Sequence, residues 1–185
     1  MDMYSQSVYQ LGEGDFGTVY RTTVPNQPTV IFKEYKNPAE GFARIDSKNL
    51  ELLSRVNSSD LNVRTVKVLR NMTPSRVFLE NILGRSLGDI FKAPDSQVSP
   101  ELKWSLYLRY TAYVRLVQEH LNADKTFDKE SAIILMTPLS FDQVQGSPLF
   151  VLKVADHRQQ VYLTVKPENI IVDAKTLEMI VVDPN

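Results

Sequence analysis

Apolar and polar residues alternate in the first third of the chain in a way that predicts three antiparallel strands. Segments 7–14, 17–24 and 29–36 carry Val, Tyr, Thr, Ile and Phe at strand-like intervals, and the turn sequence PNQP precedes the third. Where the first two strands meet lie three of the chain's seven glycines, Gly12, Gly14 and Gly17. Glycine suits both a tight turn and close approach to a ligand, so the cluster indicates either an empty hairpin or a loop that covers phosphates.

From Pro38 onward the periodicity becomes helical. Within segment 38–56 the apolar positions that recur at roughly helical intervals are Phe42, Ile45, Leu50, Leu53 and Val56. Segments 63–71 and 75–83 predict two more strands, which would extend the first sheet to five. Segment 86–91 predicts a short helix.

The strongest helix prediction begins after Ser99, which is a suitable N-cap followed by Pro100 and Glu101. This helix is apolar almost all round, a pattern typical of burial on more than one side. Segment 123–160 is irregular, with two short strands around a polar stretch. The remaining tail alternates again and predicts three short strands.

Composition narrows the class of protein. With 185 residues, 43% hydrophobic and 23% charged, we expect one globular domain or two small lobes. The net charge of −1 gives no reason to expect a nucleic-acid partner. The absence of cysteine excludes disulfides, thiolate catalysis and cysteine-ligated metals. The sequence shows neither a signal peptide nor an apolar run long enough for a membrane span, so we expect a soluble protein without a membrane partner.

Residues 12–19 read GEGDFGTV, the pattern G-x-G-x-x-G-x-V. In a dinucleotide-binding fold such glycines precede a helix, whereas here strand-like residues including Val19 follow, as in the loop that covers ATP in protein kinases. Lys33 lies in the next apolar strand. An unpaired buried charge is costly, so this lysine is expected either to reach the strand edge or to meet a phosphate.

Two further segments strengthen the resemblance. The tail VKPENIIVDAKTLEMIVVDPN resembles the catalytic loop and metal-binding region of eukaryotic-type protein kinases, and residues 77–91, VFLENILGRSLGDIF, resemble the kinase hinge and the helix after it. The resemblance covers about residues 5–122 and 160–185. It implies an α+β, two-lobed protein-kinase-like fold.

The implied lobes divide the chain after residue 83. An N-lobe over 1–83 would hold a five-stranded antiparallel sheet and one helix. A truncated, mainly helical C-lobe with a small β-hairpin would occupy 84–185, with 123–160 as an atypical insertion.

The resemblance also implies ATP and Mg²⁺ as ligands. The residues expected to contact the nucleotide are Gly12, Gly14, Gly17, Val19, Lys33, Glu80, Ile82 and Ile171, with Leu79 as the gatekeeper of the adenine pocket. Magnesium would be held by Asn169 and Asp183, and Lys166 would face the transferred phosphate. Lys33, Lys166 and Asp183 are then the expected catalytic residues.

Several positions depart from the family pattern. Thr164 stands where kinases carry the catalytic aspartate, and Asp183-Pro184-Asn185 replaces D-F-G. In the helix after Lys33 the position of the usual paired glutamate is Asn49, with Glu51 as a nearby alternative.

A further departure concerns what covers the long helix. The sequence given has no activation segment after D-P-N and no later C-lobe helices. The helix that begins after Ser99 is therefore expected to be covered by segment 123–160, by a protein partner or by further sequence.

Two functions follow from this comparison. The favoured one is a pseudokinase that keeps an ATP/Mg cleft but acts through protein–protein interaction. The alternative is an active minimal kinase that transfers the γ-phosphate to a protein without the usual base, similar to truncated kinase-like effectors that bacterial pathogens deliver into host cells. Two further possibilities stay open: a different transferase with the same fold, and a fragment of a longer kinase. The location also stays open between the cytoplasm and a host cell.

Overall fold

The computed structural model describes residues 7–14, 16–69, 73–158 and 160–185, with the backbone alone for 131–137. The chain is α+β, as expected, and forms two compact units. The first unit comprises Met1–Glu51 and Val66–Ile82, and the second comprises Leu52–Thr65 and Leu83–Asn185. That these units are kinase lobes stays a prediction. Of the helices described, none is both long and apolar enough to cross a membrane.

The first unit is built on a four-stranded antiparallel sheet. Its strands, in the order β1-β2-β3-β5, are β1 (Ser7–Glu13), β2 (Gly17–Thr23), β3 (Val30–Tyr35) and β5 (Arg76–Glu80). The three strands predicted at the start of the chain are therefore confirmed. The predicted fifth strand is wrong, because β4 (Val63–Thr65) pairs within the second unit and Val68 forms only an isolated bridge to Leu79.

A helix follows β3, as predicted. α1 (Phe42–Ser54) comes after a short 3-10 turn, Pro38–Glu40. Within the first unit, the buried face of α1 differs in part from the predicted apolar positions. Phe42 and Ile45, which were predicted, are half-buried, and the residue after each of them is buried instead. The buried positions are Ala43, Asp46, Asn49 and Leu50. A carboxylate therefore lies on the buried face of α1.

Two helices of the second unit each begin after a capping serine, of which Ser99 was predicted. α2 (Leu87–Lys92) follows Ser86, whose hydroxyl accepts a hydrogen bond from the Asp89 amide at 3.0 Å. α3 (Pro100–Ala123) follows Ser99, whose hydroxyl accepts from the Leu102 amide at 3.2 Å. Each serine satisfies an amide that the first helical turn leaves without a partner.

Two sheets make the second unit richer in strands than predicted. One has the order β4-β11-β10-β6 and includes β6 (Gly84–Ser86), β10 (Ile170–Asp173) and β11 (Met179–Val181), with β4 and β11 parallel. The other contains β7 (Glu130–Leu139), β8 (Ser147–Ala155) and β9 (Val161–Val165), all antiparallel. The expected small β-hairpin is present as β10 and β11. The expectation of a mainly helical C-lobe is wrong for the described residues of this unit, because segment 123–160 forms a long hairpin.

The same hairpin covers α3. The Tyr107 hydroxyl donates to the Pro148 carbonyl at 2.7 Å, and the Tyr110 hydroxyl donates to the Phe150 carbonyl at 2.6 Å. Burial against this layer raises the pKa of Tyr110, and the nearby Glu168 carboxylate raises it further. Of the covers considered for α3, segment 123–160 is the one that the structure places there.

An arginine of α3 ties two turns together. The Arg109 guanidinium donates to three main-chain carbonyl oxygens, those of Leu61 at 2.8 Å, Asn62 at 2.7 Å and Leu177 at 3.0 Å. Leu61 and Asn62 precede β4, and Leu177 lies between β10 and β11. Burial lowers the pKa of Arg109, although the Glu178 carboxylate opposes this shift.

A carboxylate closes the turn between β10 and β11. One oxygen of Asp173 accepts hydrogen bonds from the amides of Lys175 at 2.8 Å and Thr176 at 2.9 Å. The Thr176 bond, followed by the Lys175 bond, lowers the pKa of Asp173. The ionised form of this side chain is thus the form that the turn favours.

Candidate functional site

The glycine loop contains one glycine that the fold requires and two that it does not. The Gly14 amide donates to the Gly17 carbonyl at 2.9 Å and closes the turn between β1 and β2. A Cβ at Gly17 would lie 2.3 Å from the Glu34 carbonyl oxygen on β3. A Cβ at Gly12 would meet no atom within 4 Å, and one at Gly14 only the Gly17 oxygen at 4.0 Å. The space beside Gly12 and Gly14 is therefore open to a ligand.

Lys33 occupies the middle of β3 and is buried. It is 9% exposed, and its ammonium lies 3.5 Å from Oδ2 of Asp46, which is 2% exposed. The sequence offered two ways to satisfy the charge of Lys33, which were a side chain that reaches the strand edge and a bound phosphate. The structure adds an acidic partner from α1, within the same unit.

Asp46 is a functional candidate that the sequence reasoning missed. The residues weighed as partners of Lys33 were Asn49, which is fully buried, and Glu51, which is exposed. The signal for Asp46 was present, because it lies three residues after Ala43 and four before Leu50 and thus shares their helix face. A carboxylate on a buried helix face requires a buried donor.

The remaining nucleotide-contact candidates lie on strands, except Ile82, which follows β5. Val19 on β2 pairs with Gly12 on β1 and is half-buried. Leu79 on β5 is buried and pairs with Ile31 on β3. Three more positions complete the set: Glu80, whose amide donates to the Lys67 carbonyl at 3.1 Å, and the half-buried Ile82 and Ile171.

In the second unit, backbone hydrogen bonds bring three predicted site positions together. The Val182 amide donates to the Asn169 carbonyl at 2.9 Å, and the Thr164 amide donates to the Pro184 carbonyl at 2.7 Å. Asp183 lies between the two residues so bonded, and one of its oxygens accepts the Asn185 amide at 2.9 Å. The loop after β9 and the end of β11 thus share one location.

The side chains at this location suit a cation with oxygen ligands. Asn169 is 9% exposed, and its buried amide nitrogen has no hydrogen-bond partner among the described residues. This nitrogen is a hydrogen-bond donor, so it requires an acceptor such as a water or phosphate oxygen, and only the Asn169 amide oxygen could bind a cation. Asp183 supplies a half-buried carboxylate one residue after Val182, whose amide bonds the Asn169 carbonyl, and carboxylate and amide oxygens are ligands that Mg²⁺ accepts. The residues present therefore fit the implied metal.

Near this location, Lys166 offers a positive charge, whereas Thr164 offers no carboxylate base. Lys166 is half-buried, and its ammonium forms no ion pair with a residue that the structure describes. Thr164, at the position of the usual catalytic base, is 4% exposed. An alcohol does not ionise near neutral pH, so Thr164 cannot act as a carboxylate base.

The search for other metal sites and the comparisons with known proteins add no further candidate site residues. Among the described residues no group of three or more His, Cys, Asp or Glu side chains is arranged to hold a metal ion. A comparison with models of known protein families matched none of them, and a comparison with curated proteins gave no match either.

Proposed function

We propose that this chain has a protein-kinase-like fold, binds ATP with Mg²⁺ and acts as a pseudokinase through contacts with other proteins. The observation that carries the proposal is the buried pair of Lys33 on β3 and Asp46 on α1. A strand lysine held by an acid from the following helix is what kinases use to present an ammonium to the nucleotide phosphates.

The first unit offers the groups that a polyphosphate needs. A buried ammonium lowers the energy of an anion strongly, because the surroundings screen the charge less than water does. Lys33 supplies that ammonium, and the open backbone at Gly12 and Gly14 supplies room for phosphate oxygens. The alternative of an empty hairpin explains Gly17 but gives no reason for the other two glycines.

The second unit offers the groups that a metal needs. Asn169 and Asp183 would hold Mg²⁺, which offsets the charge of the phosphate oxygens when it is bound. The orphaned amide nitrogen of Asn169 is a hydrogen-bond donor, so a phosphate oxygen near the metal, and not the metal itself, would give it a partner. Lys166 adds a positive charge from the same loop.

The pseudokinase assignment rests on Thr164. A general base typically contributes about 10²–10⁴-fold to a reaction rate, and threonine supplies none of this. The expectation of a protein partner no longer draws on an uncovered α3, because β8 lies against that helix. It draws on the missing base alone.

The second candidate is an active minimal kinase. It is favoured by the retention of Lys33, Lys166, Asn169 and Asp183, since phosphoryl transfer depends mostly on positioning and charge stabilisation. On this alternative the reaction is slow rather than absent.

Thermal unfolding with and without nucleotide tests binding. With ATP and Mg²⁺ at about 100 times the dissociation constant, we expect stabilisation of about 2.7 kcal/mol, which raises the unfolding temperature by about 5–10 °C. The shift should disappear in Lys33→Met and shrink in Asp183→Asn. Lys48→Met, at an exposed position of α1, is the matched control and should keep the full shift. No shift of the unchanged protein with any nucleotide would refute the proposal.

Radiolabelled ATP separates the two candidates. Label transfer to the protein or to a cell lysate that disappears in Asp183→Asn would establish an active kinase and remove the pseudokinase assignment. Thr164→Asp is the sharper variant, because it restores only the base. A gain of about 100-fold or more would mean that Thr164 alone limits the reaction.

A further inference from the structure

Three polar side chains lie together beneath α1 in the first unit. Lys33 and Tyr35 are two residues apart on β3 and so point to the same face of the sheet. Asp46 comes from α1. All three are buried, with exposed fractions of 9%, 3% and 2%. A buried carboxylate is destabilising unless donors surround it, so the hydrogen bonds to Asp46 contribute to how firmly α1 is held.

The tyrosine is the nearer donor to that carboxylate. The Tyr35 hydroxyl donates to Oδ2 of Asp46, and the same oxygen is 3.5 Å from the Lys33 ammonium. A charge-assisted N–H···O bond is normally about 2.7–2.9 Å long, so the ion pair is loose. The Lys33 ammonium also lies 5.0 Å from the centre of the Tyr35 ring, within the range of a cation–π contact. Tyr35 therefore contacts both members of the pair.

We propose that Tyr35 is a positioning residue: its hydroxyl anchors Asp46, and with it α1, to β3, while the ion pair with Lys33 is the weaker tie. Aspartate is a short side chain, and the long phenol from β3 closes the distance to α1. This part of the proposal concerns the packing of the first unit alone.

A second consequence rests on the proposed function. Because Tyr35 already satisfies Oδ2 of Asp46, the attraction of Lys33 is divided between this carboxylate and an anionic ligand. Without the phenol hydroxyl, Asp46 would draw the ammonium closer. Tyr35 would thus tune the affinity of Lys33 for phosphates without touching them.

Double-mutant cycles on urea unfolding test the anchoring. We expect Tyr35→Phe to lower the folding equilibrium constant by about 10-fold, because a buried acceptor loses its nearest donor. The coupling of Tyr35 with Asp46, measured against Asp46→Ala, which removes the acceptor oxygens, should exceed the coupling of Lys33 with Asp46, measured with Lys33→Met. Tyr20→Phe is the matched control, since Tyr20 stacks on Phe32 and its hydroxyl has no hydrogen bond with a described residue. Its effect should stay under about 2-fold.

The opposite ranking would overturn the anchoring role. If Lys33 couples to Asp46 more strongly than Tyr35 does, the ion pair is the main tie. Should Asp46→Ala fail to fold, the single variants still decide, because the proposal requires Tyr35→Phe to cost more than Lys33→Met.

ATP titration supplies a measurement that a merely structural tyrosine would not affect in the same way. Tyr35→Phe should weaken ATP binding by about 5-fold when Lys33 is present and should have no further effect in Lys33→Met. Equal losses in both backgrounds would mean that Tyr35 does not act through Lys33. If the unchanged protein binds no ATP, the proposed function fails, and the unfolding cycles still decide the anchoring role.

Discussion

Replacing Gly17 by alanine tests whether the stability of the fold requires a glycine at this position of the loop. The added Cβ would lie 2.3 Å from the Glu34 carbonyl oxygen and 3.2 Å from Cα of Tyr35. Ordinary contact begins at 3.4 Å, so β2 must move from β3 by roughly 1 Å at this pair. Forcing atoms into a packed site costs about 1–3 kcal/mol. The loss of a flexible glycine from the unfolded chain returns only about 0.4–1 kcal/mol.

The expected net effect is a destabilisation of about 1–2 kcal/mol, or about 2–8 °C in unfolding temperature. Circular dichroism during urea and thermal unfolding measures it. Gly12→Ala provides the internal control, because its Cβ meets no atom within 4 Å. That variant should be neutral or stabilised by about 0.4–1 kcal/mol.

The effects of the glycine variants on nucleotide affinity should differ from their effects on stability. Gly12→Ala and Gly14→Ala would place a methyl group where we propose that phosphates lie, so both should weaken ATP binding by calorimetry while stability is kept. Equal stability losses at all three glycines would refute the argument from close contact. Unchanged ATP affinity in Gly12→Ala and Gly14→Ala would remove the loop from the proposed site.

Three further predictions concern the second unit. Arg109→Met should lower the free energy of unfolding by about 2–4 kcal/mol, measured in urea, because three carbonyl oxygens lose a charged donor. Tyr110→Phe should cost about 1 kcal/mol in the same assay, since its hydroxyl bonds the Phe150 carbonyl. Asp173 has a lowered pKa in the folded chain, so its contribution is complete above the ordinary aspartate pKa of about 4 and is lost as pH falls through the folded value. The difference in unfolding temperature between the unchanged protein and Asp173→Ala should therefore shrink in acid, and a difference that grows in acid would contradict this.

Local signals in the sequence predicted the elements whose stability is local. α3 begins after Ser99 as expected, because a capping serine, a proline and an acidic first turn all act within a few residues. The glycine turn between β1 and β2 is local in the same sense. By contrast, the pairing of β4 was assigned to the wrong sheet, since nothing near residues 63–65 specifies a parallel partner at 179–181.

The candidate site was predictable residue by residue but not as a network. The motifs indicated Lys33, Asn169 and Asp183 because each occupies a fixed place in a short pattern. Asp46 lies in no such pattern, and only the rotational register of α1 reveals it. Tyr35 became a candidate only when its hydroxyl was found on the same oxygen as Lys33.

The parallel pairing of β4 with β11 also has a consequence for synthesis on the ribosome. The Arg64–Glu178 ion pair, at 2.9 Å, joins a residue within β4 to the residue just before β11, 114 positions further along the chain. At about 5–20 residues per second, β4 leaves the ribosome roughly 6–23 s before its partner strand is made. During that interval the backbone edge of β4 lacks the neighbour that it has in the folded chain. Closure of this sheet is thus a late event, and the newborn chain is exposed to aggregation or to chaperones until residues 179–181 emerge.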